Sequence, residues 1–591
     1  MIRRTVLASS LWILAAPVLA TVEPPTPAER LHALFDREWE TRMQELPLEA
    51  TAAGVHDYDD RLDSMSPDDV ARRDALWEEL LGELATIDAA GLSPEDRISY
   101  RMFERLLRDR RDDVRLGGHL IPLTSDSGFH TELARLPALM TLRTVEDYQH
   151  YLARLGAIPR YVAEHVELMR DGLERGMTLP RVVLEGYEGS IAAHVVEDPT
   201  ESVFWAPFES FPAGVPESER ERLREAGRRA VLQGAVAGYR SFHDFMVREY
   251  VPATRETLGA SALPDGAEYY RHLIRRFTTL ELTPEEIHRT GLDEVARIRS
   301  EMDAIMRDLA FEGSFEEFLA FLRTDPRFYA GTPEELLKQA AWLAKSMDGK
   351  LPSLFGRLPR QPYGVEPVPD AIAPKYTAGR YVGAPLDSDR AGTYWVNTYA
   401  LESRPLYALE ALTLHEAVPG HHLQIALAQE LEELPKFRRF DYISAFGEGW
   451  GLYSERLGLE AGFYTDPYAD FGRLTYEMWR ACRLVVDTGI HAFGWTRQQA
   501  IDYLAGNTAL SLHEVTTEID RYISWPGQAL AYKLGELTIR RLRAEAEEAL
   551  GAAFDLRSFH DAVLANGSVP LPVLETVLRD WVTAEREGTS P

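Results

Sequence analysis

The chain has 591 residues, 45% hydrophobic and 27% charged, which provides for an ample core and excludes wholesale disorder. Acidic residues outnumber basic ones by 94 to 64, a net charge of −30 that argues against a polyanionic partner such as nucleic acid. The charge of a small substrate stays open, because a pocket can carry the opposite sign to the surface around it.

Residues 1–20 read as an export signal. Arg3 and Arg4 precede the apolar run TVLASSLWILAAPVLA, Val18-Leu19-Ala20 offers small residues for cleavage, and the Pro-rich TVEPPTPAE follows at once. The run is short for a membrane span, and no other segment is long and apolar enough for one. The sole cysteine, Cys482, lies far from the signal, so neither a lipid-anchor cysteine nor an intrachain disulfide is expected. The expectation is an exported protein without a membrane anchor, periplasmic or secreted, with residues 21–591 forming a single unit.

From about 27 to 115 the apolar residues recur every three to four positions, as in LHALFDREWETRMQEL, and Ser93-Pro94-Glu95-Asp96 makes a good helix start. Helical patterning resumes at VEDYQHYLARLGAIPRYVAEHVELMRDGLERG, and residues 218–248 read as one long amphipathic helix. The Pro- and Gly-rich stretches near 195–217 and 250–267 read as loops. More helices are expected over 283–348. Residues 351–400 then alternate β-formers with Pro and Gly, in YGVEPVP, AGRYVGAPL and GTYWVNTYAL, which predicts two or three short strands. Beyond them the chain is helical almost to its end. The expected architecture is mainly α with one small β-sheet, forming two lobes around a central cleft, and its motifs fall within 390–540.

The densest chemistry lies in LTLHEAVPGHHLQIAL, residues 412–427, with His415, Glu416, His421 and His422 inside eight positions of an apolar segment. A single histidine on an apolar helix is ordinarily a satisfied core residue. Three with a glutamate point instead to a metal, since neutral imidazole is a favoured zinc ligand. The familiar H-E-x-x-H arrangement does not fit, because position i+4 from His415 is Pro419. A proline there breaks the helical ladder, and Gly420 tolerates the unusual backbone. A local bulge of two residues returns His421 to the face of His415. His422 competes, because i+7 also returns to that face in an unbroken helix. A catalytic zinc needs a third protein ligand, and Glu448 in AFGEGWGLYSERLGLE is the candidate, with Gly447, Gly449 and Gly451 allowing close helix approach. Glu455, two turns on, is either an alternative ligand or the group that orients a histidine. Glu416, beside a ligand, suits a general base. Leu512-His513-Glu514 starts a similar pattern, but no second histidine follows at useful spacing.

Taken in order, HEAVPGHHLQ, EGWGLYSE, RLVVDTGIHAFGW and EIDRYISWPGQALAYKLGE resemble the large bacterial family named domain of unknown function 885, over most of the mature chain. That family is grouped with gluzincin-type zinc peptidases, which include angiotensin-converting enzyme, oligopeptidases and carboxypeptidase Taq. Its H-E-x-x-x-G-H is similar to the lengthened motif of dipeptidyl peptidase III. The resemblance implies a zincin-like fold, one zinc ion per chain on His415, His421 and Glu448, and Glu416 as base. Tyr522 is similar to the tyrosine of the Arg-Tyr pair in angiotensin-converting enzyme, which implies an oxyanion-stabilising role; His491 and Tyr532 are the other candidates. Arg480, Arg483, Arg521 or Lys533 would pair with a substrate carboxylate. Asn397, on the YWVNTY strand, would reach a peptide backbone along a sheet edge. The expected function is hydrolysis of short peptides by zinc-activated water. Two alternatives stand beside it: a zinc-dependent amidase acting on a non-peptide bond, and a peptide- or metal-binding protein without turnover.

Overall fold

Helix starts are marked in this chain by a hydroxyl residue followed by proline and then acid. Thr26, Ser66, Ser93, Thr283 and Thr332 each precede a helix, and each side chain accepts the backbone N–H three residues on. Proline at the first helical position has no N–H to leave unpaired, and the acids that follow favour the positive end of the helix dipole. The computed structural model describes residues 25–370, 372–384 and 390–588. The export signal expected over 1–20 lies outside them.

The architecture is mainly α with one small sheet. Long helices run over Pro27–Glu45, Pro67–Leu84, Pro94–Arg115 and Val145–Arg175. The segment expected as one amphipathic helix starts at Glu217 and stays helical to Ala253, passing through two widened turns at Val231–Val236 and Met246–Tyr250. At the first of these, a Cβ on Gly234 would stand 2.0 Å from the Leu155 carbonyl oxygen, so the two backbones touch there. Helices Pro284–Asp308, Phe315–Thr324 and Pro333–Asp348 follow.

Three strands come next: β1 (Tyr363–Pro367), β2 (Gly379–Val382) and β3 (Gly392–Val396). Their order is β1-β3-β2, with β1 parallel and β2 antiparallel to β3. The sheet edge expected on the YWVNTY strand is therefore corrected: β3 is the middle strand, and β2 is the outer one beside the motif. Its burial alternates, with Tyr394 and Val396 in the core, and both of its hydrogen-bonding edges are taken.

The motif segment is two helices, Leu409–Glu416 and His421–Gln429, with a cis Val418–Pro419 bond in the turn between them. A continuous helix carrying a bulge is thus replaced by a full break. Downstream, helix Pro467–His491 is buried on all sides from Phe471 onward. It packs on Pro284–Asp308 where a Cβ on Gly291 would meet Leu484 and Val485 at 2.8 Å. Helix Ser444–Ala461 crosses helix Ala531–Leu550 glycine to glycine, since a Cβ on Gly535 would lie 2.7 Å from the Gly449 Cα. Buried apolar side chains from Leu31 to Leu578 join in one connected cluster, and a smaller one spans Val70 to Leu534. Among the described residues, no helix is long and apolar enough to cross a membrane.

Candidate metal centre

The break in the motif helix is what aims the second histidine. Pro419 supplies no N–H, and a Cβ on Gly420 would sit 1.9 Å from the His415 carbonyl oxygen, a position open to glycine alone. The carbonyl of Pro419 accepts the indole N–H of fully buried Trp450 at 2.8 Å, so the turn has no unpaired acceptor there. The chain re-enters a helix at His421, whose ring meets that of His415 edge-on, 4.7 Å between centroids at 85°.

Glu448 enters from helix Ser444–Ala461. Its Oε2 lies 3.5 Å from His415 Nε2 and 3.4 Å from His421 Nε2. One ligand atom from each of His415, His421 and Glu448 lies within 4.8 Å of the other two. The other oxygen, Oε1, accepts the Tyr442 hydroxyl at 3.3 Å, so the carboxylate is held with one oxygen toward the imidazoles. Glu455 binds His415 Nδ1 at 2.8 Å, and Arg480 Nη2 stands 3.6 Å from the same Glu455 oxygen. Glu455 thus turns Nε2 of His415 inward and is not itself one of the converging three.

Burial opposes charge on His415, yet the carboxylates of Glu448 and Glu455 outweigh it and push the imidazole up to about 10. Burial likewise opposes ionisation of Glu448, and the two imidazoles overcome it, holding the carboxyl well below its usual range. Two imidazole nitrogens and one carboxylate oxygen converge in a buried pocket with a carboxylate behind the first imidazole. That donor set fits a divalent ion of the zinc type with a coordination position left over.

Gly451 is the tightest support. A Cβ there would lie 2.7 Å from Cε1 and Nε2 of His415. Gly451→Ala is expected to lower zinc affinity by on the order of 10–100-fold with helicity preserved, measured by competition with a chromogenic chelator. Affinity within twofold of the parent would show that the ring steps aside freely.

Glu416 is the one residue of 411–420 that is not fully buried. Its Oε2 accepts the backbone N–H of Tyr381 on β2 at 2.8 Å, fixing a carboxylate next to the converging donors. His422 turns the other way, its Nδ1 3.1 Å from the Tyr381 hydroxyl and its ring 4.5 Å from that of Tyr363. Burial lowers its pKa to about 4. It is not part of the cluster.

Several residues expected at the site stand elsewhere. His491 is fully buried, with Nδ1 accepting the Ala260 N–H at 3.0 Å and Nε2 at 2.9 Å from the Tyr522 carbonyl oxygen. Both nitrogens are used, so it ties a loop to two helices and has no nitrogen left for catalysis. Asn397 is fully buried too; its amide donates to the carbonyls of Ala373, Tyr376 and Thr377 and cannot reach a peptide. Lys533 is enclosed by Glu477, Glu536 and Glu294 at 2.8 to 2.9 Å, which leaves it no role toward a substrate carboxylate. Arg480 is buried against Glu455 and the rings of Tyr476 and Trp479. The Tyr522 hydroxyl accepts from Trp479 Nε1 and Arg483 Nε, both at 2.7 Å, and its residue is 1% exposed. It is a core acceptor without access to a substrate.

Tyr532 is placed differently. Its ring stacks toward His415, 6.4 Å between centroids at 23°, with the Arg483 guanidinium 4.2 Å from its centroid. Its residue is 8% exposed, and its hydroxyl has no hydrogen-bond partner among the described residues. Arg521 stays partly open at the end of helix Leu512–Ser524. Sequence reasoning missed Tyr381, whose contribution is a backbone N–H, and Tyr442. Neither leaves a side-chain signature in the motif; Trp450 did, within EGWG. His513 is exposed, as its isolated H-E pattern predicts.

A surface groove of about 610 Å³ is lined by Thr332, Glu335, Trp342 and Glu410 among others and contains none of these residues. A family profile described as "Bacterial protein of unknown function (DUF885)" matches residues 47–578. No curated protein matches the chain. Among solved structures, a protein from Colwellia psychrerythraea provisionally named a lipoprotein is 29% identical, with a TM-score of 0.89, over 95% of this chain and 100% of that one. A second, from Shewanella oneidensis, provisionally named a lipoprotein of unknown function, is 19% identical over 94% of this chain and 100% of its own, with a TM-score of 0.70. It shares the fold.

Proposed function

The chain belongs to the bacterial family of unknown function DUF885, and from its buried centre we propose that it is a metal-dependent hydrolase of short peptides. One observation carries this reading: His415, His421 and Glu448 converge on a common point while Glu416, free of that cluster, is pinned beside it. A divalent ion such as zinc, one per chain, would be held by those three and would supply a Lewis acid that polarises a carbonyl and lowers the pKa of a water.

The chain's own groups supply the rest. Glu416, oriented by the Tyr381 N–H, takes a proton from the attacking water and returns it to the leaving amine nitrogen. Outer strand β2 flanks this carboxylate and offers backbone groups to an extended peptide. Tyr532, whose ring stacks 6.4 Å from that of His415 and whose hydroxyl has no hydrogen-bond partner among the described residues, donates to the oxygen that gains charge when the scissile carbonyl is attacked. Tyr532→Phe is expected to lower kcat by on the order of 10²–10³-fold with KM little changed. Tyr522→Phe, which strips Trp479 and Arg483 of an acceptor, is expected to cost about 1–3 kcal/mol of stability instead, read as a lower Tm.

We place the protein outside the cytoplasm, periplasmic or secreted, a reading supported by residues 1–20 and by the lipoprotein names of its structural neighbours. The test of function is mass spectrometry of a defined peptide mixture incubated with the purified protein. New fragments should appear with zinc, vanish with 1,10-phenanthroline and return on re-addition of the metal. An unchanged mixture under all three conditions contradicts the reading.

A further inference from the structure

The isolated Leu512-His513-Glu514 pattern has one member that the metal centre leaves unused. His513 is exposed, but Glu514, beside it on helix Leu512–Ser524, is half-buried and lines a small cavity. Leu336, Leu412 and Leu510 belong to the apolar walls of that cavity, and set among them are Glu514, Arg404 and Thr475. Thr475, on helix Pro467–His491, is 1% exposed, and its hydroxyl bonds to nothing. Thr488 and Thr538, by contrast, return their hydroxyls to the carbonyl four residues back, at 2.6 and 2.9 Å. Arg404 is half-buried, and its Nε is enclosed without a hydrogen-bond partner. Among the described residues the Glu514 carboxyl has neither a hydrogen bond nor an ion pair. Burial pushes it up to about 7 against the pull of Arg404, Arg480 and Arg483.

An acid, a base and a hydroxyl thus stand unbonded around one cavity, a costly arrangement for packing alone and a prepared one for a ligand. The cavity measures about 30 Å³, room for about two waters. A group that fits must donate to Glu514 and accept from Arg404 Nε. A carboxylate would face Glu514, and an ammonium would face Arg404. A primary carboxamide is neutral and carries an NH₂ donor and a carbonyl acceptor on one carbon, so its two polar atoms take the places of two waters. Its second N–H is left for the Thr475 hydroxyl, and its stem runs along the leucines. The half-buried Arg404 and Glu514 give the cavity a side toward solvent. Its inner wall adjoins the metal centre: Leu412 lies one turn before Glu416, and the ring of Tyr476, also on the wall, carries the Arg480 guanidinium at 4.6 Å.

We propose that this cavity binds a primary carboxamide, with Glu514 and Thr475 accepting its N–H groups and Arg404 donating to its carbonyl oxygen. None of the three converging metal donors lines the cavity, so the proposal stands or falls independently of the peptide-hydrolase reading. The amide has two sources, a glutamine or asparagine side chain of a peptide and a small free amide. Propionamide, propionate and propylamine are titrated into the purified protein and followed by saturation-transfer NMR, beside the N-methylamides of N-acetylglutamine and N-acetylmethionine. Propionamide should bind at least about tenfold tighter than either charged analogue. Thr475→Val, Glu514→Leu and Arg404→Met should each weaken it by at least about fivefold. Because the Thr475 hydroxyl bonds to nothing in the free protein, its valine variant should melt no lower than the parent. Glu514 and Arg404 are half-buried, so their variants keep the test valid even if Thr475→Val fails to fold.

A preference for the glutamine over the methionine derivative would support the site and assign it to a peptide side chain. Binding of propionamide without that preference would support it as a site for a small free amide. Charged analogues bound as tightly as the amide would overturn the assignment, and so would amide affinity left unchanged in all three variants. Absence of amide binding would overturn it as well, and a lowered Tm in Thr475→Val would then identify ordered waters as the occupants.

Discussion

Glu416→Gln is expected to lower kcat for peptide cleavage by on the order of 10²–10⁴-fold, with zinc affinity unchanged within a few-fold. The amide side chain is nearly isosteric, and its oxygen still accepts the Tyr381 N–H now made at 2.8 Å, so the local geometry survives. What disappears is the capacity to take a proton from water and return it to the amine. Because Glu416 is not one of the three converging groups, metal content should not follow activity down. Parallel measurement of kcat and bound zinc checks this. A variant that kept its turnover would remove Glu416 from the chemistry, and one that lost its zinc would make it a ligand.

His421→Ala and His422→Ala, adjacent in the chain, should behave as opposites. His421 Nε2 is 3.4 Å from Glu448 Oε2, so its removal leaves two donors. Two ligands hold zinc far more weakly than three, and the expected result is loss of stoichiometric metal together with loss of activity. His422 is engaged with Tyr381 on the far side of the turn. Its alanine variant should retain the metal and lose about 1–3 kcal/mol of stability, because a buried imidazole and its hydrogen bond go missing. Zinc content by elemental analysis, paired with a thermal melt, separates the two. Retention of zinc in His421→Ala with loss in His422→Ala would mean that the helix continues through the proline after all.

The contrast between those neighbours shows what the sequence could and could not convey. Pro419 and Gly420 announce that the helix cannot pass, since a missing N–H and a missing Cβ are local facts. Choosing His421 over His422 depended on how the turn closes, and the structure closes it with a full break capped by Trp450. Helix starts at Ser93 and Thr283 were legible for the same reason, as each cap is settled within four residues. Short strands were legible by alternation, but their order was not. β1 and β3 pair across the 24 residues that separate them in the chain, and no local pattern says which strand ends outermost.

Residue type also misled where burial decides the role. Lys533, His491 and Asn397 carry the chemistry of binding residues, yet each spends its polar atoms on partners far away in sequence, Glu294, Ala260 and Ala373 among them. A buried polar group without a partner is costly, so such side chains recur in cores fully satisfied. Tyr522 and Tyr532 differ in the same respect. The first hydroxyl is consumed by Trp479 and Arg483, and only three-dimensional packing reveals that the second is left over.

The most direct measurement is the metal content of purified protein after dialysis and reconstitution, determined by elemental analysis beside Glu448→Ala. One tightly held divalent ion per chain in the parent, and none in the variant, is the expected outcome. A parent protein that neither retains nor takes up a divalent ion, or a variant that binds it equally well, would contradict a metal centre built on His415, His421 and Glu448.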